Sequence, residues 1–343
     1  MMQAFLVVPG FAATYLVTGP PRLGRRLRQV LAAGAALVAA GGWWVLIVQL
    51  WPADSRPFIG GSQTNSVWEL MFGYNGFGWL TGDEVGSVGW QNQSSWSKLI
   101  GSELGGQASW LLWAALIGLA AGLVLTARQP RTDRVRASLI VWGGWLLVTG
   151  LTFTLMQGIN HAYYAVALAP AIATLVGIGA DLLWKRRDNM VALGVIAGTV
   201  VVSGFWAKIL LDRVPSAADA LATLLQYGSI VAAVGVVLAA AVSGPVAGIA
   251  KWTAGVVAAV VLLAGPTAYT IDTVSVGHTG AGGSATDRRP DTARAAGGRS
   301  HRWASLNRSS GSHDGSGNRF WCPGPRLRST PPAVNCCDPT RPS

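Results

Sequence analysis

Apolar residues along this chain do not alternate with polar ones. They run in eight nearly uncharged blocks, most of about 18 to 21 residues, the length an α-helix needs to cross a bilayer. The blocks cover residues 3–17, 30–50, 108–127, 137–156, 164–184, 191–210, 221–242 and 252–269. The first is short and contains Pro9, a helix breaker that lipid tolerates when neighbouring helices satisfy the freed backbone groups. The pattern predicts an all-α polytopic membrane protein, with about eight transmembrane helices in residues 1–271 and a separate tail over 272–343.

The polar breaks between blocks differ in charge, and the difference gives an orientation. Arg22, Arg25, Arg26 and Arg28 follow the first block, Arg128, Arg131, Arg134 and Arg136 the third, Lys185, Arg186 and Arg187 the fifth, and Lys251 the seventh. Basic residues gather in cytoplasmic loops, so these alternate breaks are expected inside. The intervening loops are acidic or neutral. The longest, 51–107, carries Asp54, Glu69, Asp83, Glu84 and Glu103 and is expected outside. Residue 1 then also lies outside, an awkward start for insertion. Either the first helix inserts N-terminus outward by itself, or further helices precede it.

Composition narrows the class. Of 343 residues, 51% are hydrophobic and only 12% charged, about half the usual charged share. The net charge of +11 does not point to nucleic acid, because the arginines sit in short clusters between apolar blocks and in the tail. Cys322, Cys336 and Cys337 all lie in that tail, without the spacing of a zinc or thioredoxin-type site. The tail is rich in Gly, Ser, Pro and Arg, and is expected to be disordered and outside. No P-loop, HExxH or paired CxxC occurs, so no cofactor is called for; a divalent metal is left open. The block interiors are almost free of charge, unlike those of ion-coupled transporters.

Two outer loops carry candidate chemistry. Loop 51–107 is far longer than a helix connection requires. Gln63, Thr64, Asn65, Ser66 and Asn75 supply neutral hydrogen-bonding groups, and Trp68, Phe72, Tyr74, Phe77 and Trp79 supply flat aromatic faces. That mixture suits a sugar; it equally suits a loop resting on the membrane interface. Further on, Trp96, Leu99, Ile100 and Leu104 fall at helical spacing, with Ser97, Lys98 and Glu103 elsewhere, which predicts a short amphipathic helix lying in the interface. Glu69, Asp83, Glu84 and Glu103 are the carboxylates available here to an extracytoplasmic base, or are solvated surface charges. The second loop reads Gln157-Gly-Ile-Asn-His-Ala-Tyr-Tyr164. Its His161, Tyr163 and Tyr164 could donate hydrogen bonds to a lipid phosphate, or form an aromatic belt with an incidental histidine.

The run SRPFIGGSQTNSVWELMFGYNGFGWLTG, with GSELGGQASWLL and MQGINHAYYAVALAPAIATLVGIGA, resembles the bacterial branch of the protein O-mannosyltransferase and aminoarabinose-transferase superfamily. It is most similar to the mannosyltransferase-like membrane proteins of high-GC Gram-positive bacteria, and the likeness covers most of residues 1–280. The resemblance implies a GT-C fold in the plasma membrane. It also implies an enzyme that moves a sugar from a polyprenyl-phosphate carrier to an acceptor at the outer face. It places Gln63, Asn65, Glu69, Tyr74 and Asn75 near the sugar or acceptor, and His161, Tyr163 and Tyr164 near the lipid phosphate. The family's catalytic acid lies in a first outer loop with no counterpart here. The expectation is therefore an N-terminally truncated membrane domain whose base cannot be named. Beyond about His278-Thr-Gly280 the family group often continues into a small soluble domain; the Arg/Ser/Pro-rich tail is what a shifted frame in GC-rich DNA would give. A non-catalytic membrane protein, transporter-like or partner-binding, is the alternative.

Overall fold

The computed structural model describes residues 2–81, 96–102, 104–157, 161–214 and 219–275. The chain divides after Arg288, and all of the second unit, Arg289–Ser343, lies outside the described residues together with the three cysteines and all of the expected disordered tail beyond Ser275. Asp83, Glu84 and Glu103 lie outside them too, as does 158–160 in the second loop.

Eight helices account for the apolar blocks: α1 Val8–Thr18, α2 Leu23–Leu50, α3 Leu112–Thr126, α4 Arg134–Leu155, α5 Ala169–Trp184, α6 Met190–Leu211, α7 Asp219–Ala241 and α8 Ala247–Ser275. Six of these are long and apolar enough to cross a membrane, counting α5 with the 3-10 turn Ala162–Leu168 that leads into it. The helices α1 and α3 are shorter apolar helices. The all-α polytopic architecture expected from the pattern is the one observed, and no strand occurs among the described residues.

Local chemistry explains most of the boundaries. Asp133 caps α4 by accepting from the Arg136 N–H at 2.8 Å, and Asn189 caps α6 by accepting from Val191 and Ala192. Pro9 and Pro170 occupy first-turn positions, where a missing N–H costs nothing. Helix α2 begins seven residues before the apolar block at 30, taking Arg25, Arg26 and Arg28 into its first turns. Helix α8 runs on to Ser275, past the boundary at 271 that composition suggests.

In lipid, helices gain little from hiding apolar surface from one another, so close backbone approach matters more. A Cβ at Gly179 on α5 would lie 2.5 Å from the Gly118 Cα on α3, and a Cβ at Gly144 on α4 would lie 2.8 Å from the Gly10 Cα on α1. Around these crossings one core joins α3, α4 and α5 through Leu119, Leu139, Phe153 and Leu175. A second joins α6, α7 and α8 through Leu193, Val200, Ala233, Val236 and Ala258. Among the described residues the long helix α2 packs chiefly on α1, and its apolar surface is almost wholly exposed.

Loop contacts respect the alternation of helix direction. At one end Arg131 donates to the carbonyls of Gly19 and Pro20, and Lys251 lies 3.6 Å from Asp188. At the other end Lys98 reaches Met156, Arg213 reaches Ile100, and Gln107 reaches Tyr269. The first end holds the arginine clusters.

Candidate functional site

At the arginine-poor end the loop after α2 folds on its own polar side chains. Asn65 takes a left-handed backbone conformation at φ 55°, which its short amide tolerates better than other side chains would. Its Oδ1 accepts from the Ile59 N–H at 2.7 Å. Arg56 spans the turn: Nη1 donates to the Asn65 carbonyl, and Nη2 donates to the carbonyls of Gln49 and Trp51. This guanidinium ties the loop to the end of α2.

Glu69 closes the turn. Its Oε2 accepts four hydrogen bonds: from Ser62 Oγ at 2.7 Å, Gln63 N at 3.0 Å, Thr64 N at 2.9 Å and Thr64 Oγ1 at 2.7 Å. The Ser62 hydroxyl, then the Thr64 N–H and hydroxyl and the Gln63 N–H, favour the charged form and lower its pKa to about 2. A group held so far below neutrality is a poor proton acceptor near pH 7; it is well suited to ordering a loop. Ser66-Val-Trp-Glu69 has the spacing of a helix capping box, but the carboxylate turns past the Ser66 N–H, which donates instead to Ser62 Oγ at 2.7 Å. The turn runs into Glu69–Phe77, a π-helical segment kinked at Gly76. Here Trp68 and Phe72 stack at 5.5 Å, and Phe58 and Phe77 are exposed.

Of the residues the resemblance places near the sugar, Asn65 and Glu69 are thus engaged in the loop's own bonds. The exposed Gln63 carboxamide has no hydrogen bond among the described residues. The side chains of Tyr74 and Asn75 lie outside the described residues.

The second group is gathered in one place. The His161 ring stacks on Tyr163 at 5.1 Å and meets Tyr164 edge-on at 5.4 Å, and the two tyrosine rings pack edge to face at 4.9 Å. Tyr163 is exposed; Ala165 and Leu168, one turn on, are buried and anchor the turn. None of the described hydrogen bonds or ring contacts links Gln63, Asn65 or Glu69 to His161 or Tyr163.

Between these groups lies a segment whose pattern misleads. The amphipathic helix expected over Trp96–Leu104 is instead a series of turns, followed by the short helix Gly105–Ala108. Leu104 is 1% exposed and Leu99 and Ile100 pack on the core of α3, α4 and α5, but Trp96 stands out at 78%. Lys98, expected on a solvated face, is 4% exposed and donates from Nζ to the Met156 carbonyl at 2.7 Å. The chain is closely packed where the short helix begins: Gly105 meets the Ile100 carbonyl, and Gly106 meets the Tyr269 hydroxyl, each at 2.9 Å from an added Cβ. Arg213, two residues past the end of α6, fastens the same segment, donating to the Ile100 and Gly101 carbonyls while lying over Trp206. Sequence reasoning passed over Lys98 and Arg213. Their signal was position, since Arg56, Lys98 and Arg213 are cations at the charge-poor end and each is spent on backbone carbonyls.

The fold and these loops define a polytopic helical membrane protein with a structured loop assembly at one end. The chain is similar to two proteins of Bacillus subtilis (strain 168). One is named "Putative mannosyltransferase YycA" and is 27% identical over 296 residues, covering 61% of this chain and 43% of the relative. The other is named "Putative mannosyltransferase YkcB" and is 28% identical over 270 residues, covering 52% of this chain and 38% of the relative. The chain therefore spans less than half the length of these curated relatives. No family model matches it, and no solved structure does. Among the described residues no cluster of three His, Cys, Asp or Glu stands ready for a metal ion.

Proposed function

We propose that this chain forms part of a membrane glycosyltransferase. The observation that carries the reading is the shared sequence with two proteins named as mannosyltransferases, over half or more of a chain that is itself a helical membrane bundle. The finer reading is a GT-C type enzyme of the plasma membrane. It takes a mannose-like sugar from a polyprenyl-phosphate carrier and passes it to a protein, lipid or cell-wall acceptor outside the cytoplasm. Clustered arginines at one end support that end as cytoplasmic and the loop assembly as outward-facing.

In this reading the Trp68–Phe72 face, Gln63, Tyr74 and Asn75 meet the sugar or acceptor. Asn65 and Glu69 hold that face in place, and His161, Tyr163 and Tyr164 lie beside the carrier phosphate. Neutral or cationic imidazole and phenol hydroxyls are donors suited to phosphate oxygens. The test is thermal unfolding of the purified chain with polyprenyl-phosphate mannose, polyprenyl phosphate or free mannose, alongside radiolabelled sugar transfer in membranes. A saturable rise in Tm with the two carrier lipids alone is expected. No shift with either lipid, together with no transfer, would remove the reading.

A further inference from the structure

From the arginine-rich end a groove runs into the bundle among residues that play no part in the bonds of the Glu69 turn or the His161 cluster. It has a volume of about 420 Å³ and runs between α3, α5, α6, α7 and α8. Its floor is built from small residues, among them Gly118, Gly179, Ala180 and Ala259, with Leu262 and Leu263 along one wall. The walls on α5, Val176–Trp184, and α8, Gly255–Leu263, span eight residue steps each, about 12 Å of helix, and on α3 the lining continues beyond Gly118 to Ala114 and Leu111. One leaflet's share of the hydrocarbon core is about 15 Å. The groove therefore has the length and lining for a single acyl chain entering from one leaflet.

The one charged residue in its lining is Asp181, and four cations lie close to its Trp184–Gly255 end. Trp184 closes over Gly255 there, and Arg187 lies 5.2 Å above the Trp184 ring while donating to the Trp184 carbonyl. The Arg187 Nε–H has no acceptor among the described residues. Lys251 stands one turn before Gly255, and Lys185 and Arg186 follow Trp184. Against these four cations stand two carboxylates, Asp181 paired with Lys185 at 2.7 Å and Asp188 beside Lys251 at 3.6 Å. An apolar slot at bilayer depth, opening beneath an excess of positive charge, is complementary to an anionic phospholipid and not to a soluble ligand.

We infer that this groove is a binding site for one anionic phospholipid of the leaflet at the arginine-rich end. One acyl chain lies along Gly118, Gly179 and Ala259, and the headgroup phosphate sits among Lys251, Lys185 and Arg187. This site is independent of the sugar-carrier reading, which concerns the opposite end.

The experiment is native mass spectrometry of the purified chain in detergent with added phosphatidylglycerol or phosphatidylcholine. The unaltered chain should retain one phosphatidylglycerol in clear preference to phosphatidylcholine. Ala259→Phe, at an exposed position in the slot, should abolish retention of both lipids. Lys251→Gln should leave the slot open but weaken phosphatidylglycerol about fivefold, with phosphatidylcholine unchanged. Equal retention of the two lipids by the unaltered chain, or undiminished retention by a folded Ala259→Phe, overturns the site. Should Ala259→Phe fail to fold, phosphatidylglycerol with a photoreactive acyl chain decides the matter in the unaltered chain: labels concentrated on α5 and α8 around the slot support it, and labels spread evenly over all helices overturn it.

Discussion

Lys98 Nζ lies 2.7 Å from the carbonyl oxygen of Met156, and both residues are shut off from solvent. The contact joins the turn-rich segment before α3 to the end of α4, fifty-eight positions later in the chain. A cation donating to the orphan carbonyl at a helix C-terminus also meets the negative end of the helix dipole.

Lys98→Met should keep the stem's packing and remove the donor, leaving the Met156 carbonyl unsatisfied. Loss of a buried partner of this kind costs about 1–3 kcal/mol. Thermal unfolding in detergent should show a lower Tm, and hydrogen exchange should rise first at 96–108. An unchanged Tm would mean that water or a neighbour replaces the amine.

The Glu69 turn should be sensitive to acid. Its carboxyl sits at about 2, below its ordinary value of 4.5, so the bonds to Ser62, Gln63 and Thr64 are fully in place above about pH 4.5. They are lost as the pH falls towards 2. Hydrogen exchange of the Gln63 and Thr64 amides should accelerate across that window beyond the intrinsic pH effect, and Glu69→Gln should show the acceleration already at pH 7. Identical exchange in the variant would deny Glu69 its role.

Asn65 offers a test of backbone conformation. Asn65→Val places a β-branched residue at φ 55° and removes the acceptor for Ile59, an expected loss of about 2–3 kcal/mol in local stability. Asn65→Asp keeps an acceptor and tolerates the conformation. Protease cleavage after Arg56 should increase sharply in the first variant and little in the second.

The α3–α5 crossing has no spare room. Gly179→Val should push against the Gly118 backbone, costing about 1–3 kcal/mol or more and lowering the folded yield, whereas Gly177→Ala, which meets nothing within 4 Å, should be neutral. Monodisperse yield by size-exclusion chromatography distinguishes them.

If the His161 cluster serves the carrier phosphate, His161→Ala in a complete transferase should raise the donor KM about tenfold, in keeping with loss of one charge-assisted bond. Tyr163→Phe should do so more weakly. Unchanged donor KM and turnover in both would take the cluster out of the site.

The helical framework was legible because each apolar block is long, nearly uncharged and bounded by charge or proline, so a single physical demand, backbone satisfaction in lipid, decides it. The short amphipathic helix was misread because Leu99, Ile100 and Leu104 are apolar for a tertiary reason: they pack into the core of α3, α4 and α5, while Lys98 bonds to Met156 and Arg213 to Ile100 and Gly101. Spacing alone cannot distinguish a helix face from a strap tied down by two cations. The loop's polar residues were legible as a group but not in their division of labour. Gln63 and Glu69 look alike as sugar ligands until the four bonds to one carboxylate oxygen show that Glu69 faces its own loop.

The isolation of α2 has a mechanical consequence. Its apolar stretch, residues 30–50, is about 31 Å long, close to the thickness of an ordinary hydrocarbon core of about 30 Å. With α1 as its main packing partner among the described residues, its tilt is open to the thickness of the membrane. In a thinner bilayer it must lean, and the Arg56 clamp makes the Glu69 turn lean with it. The reach of that loop over the rest of the molecule is thereby linked to lipid chain length.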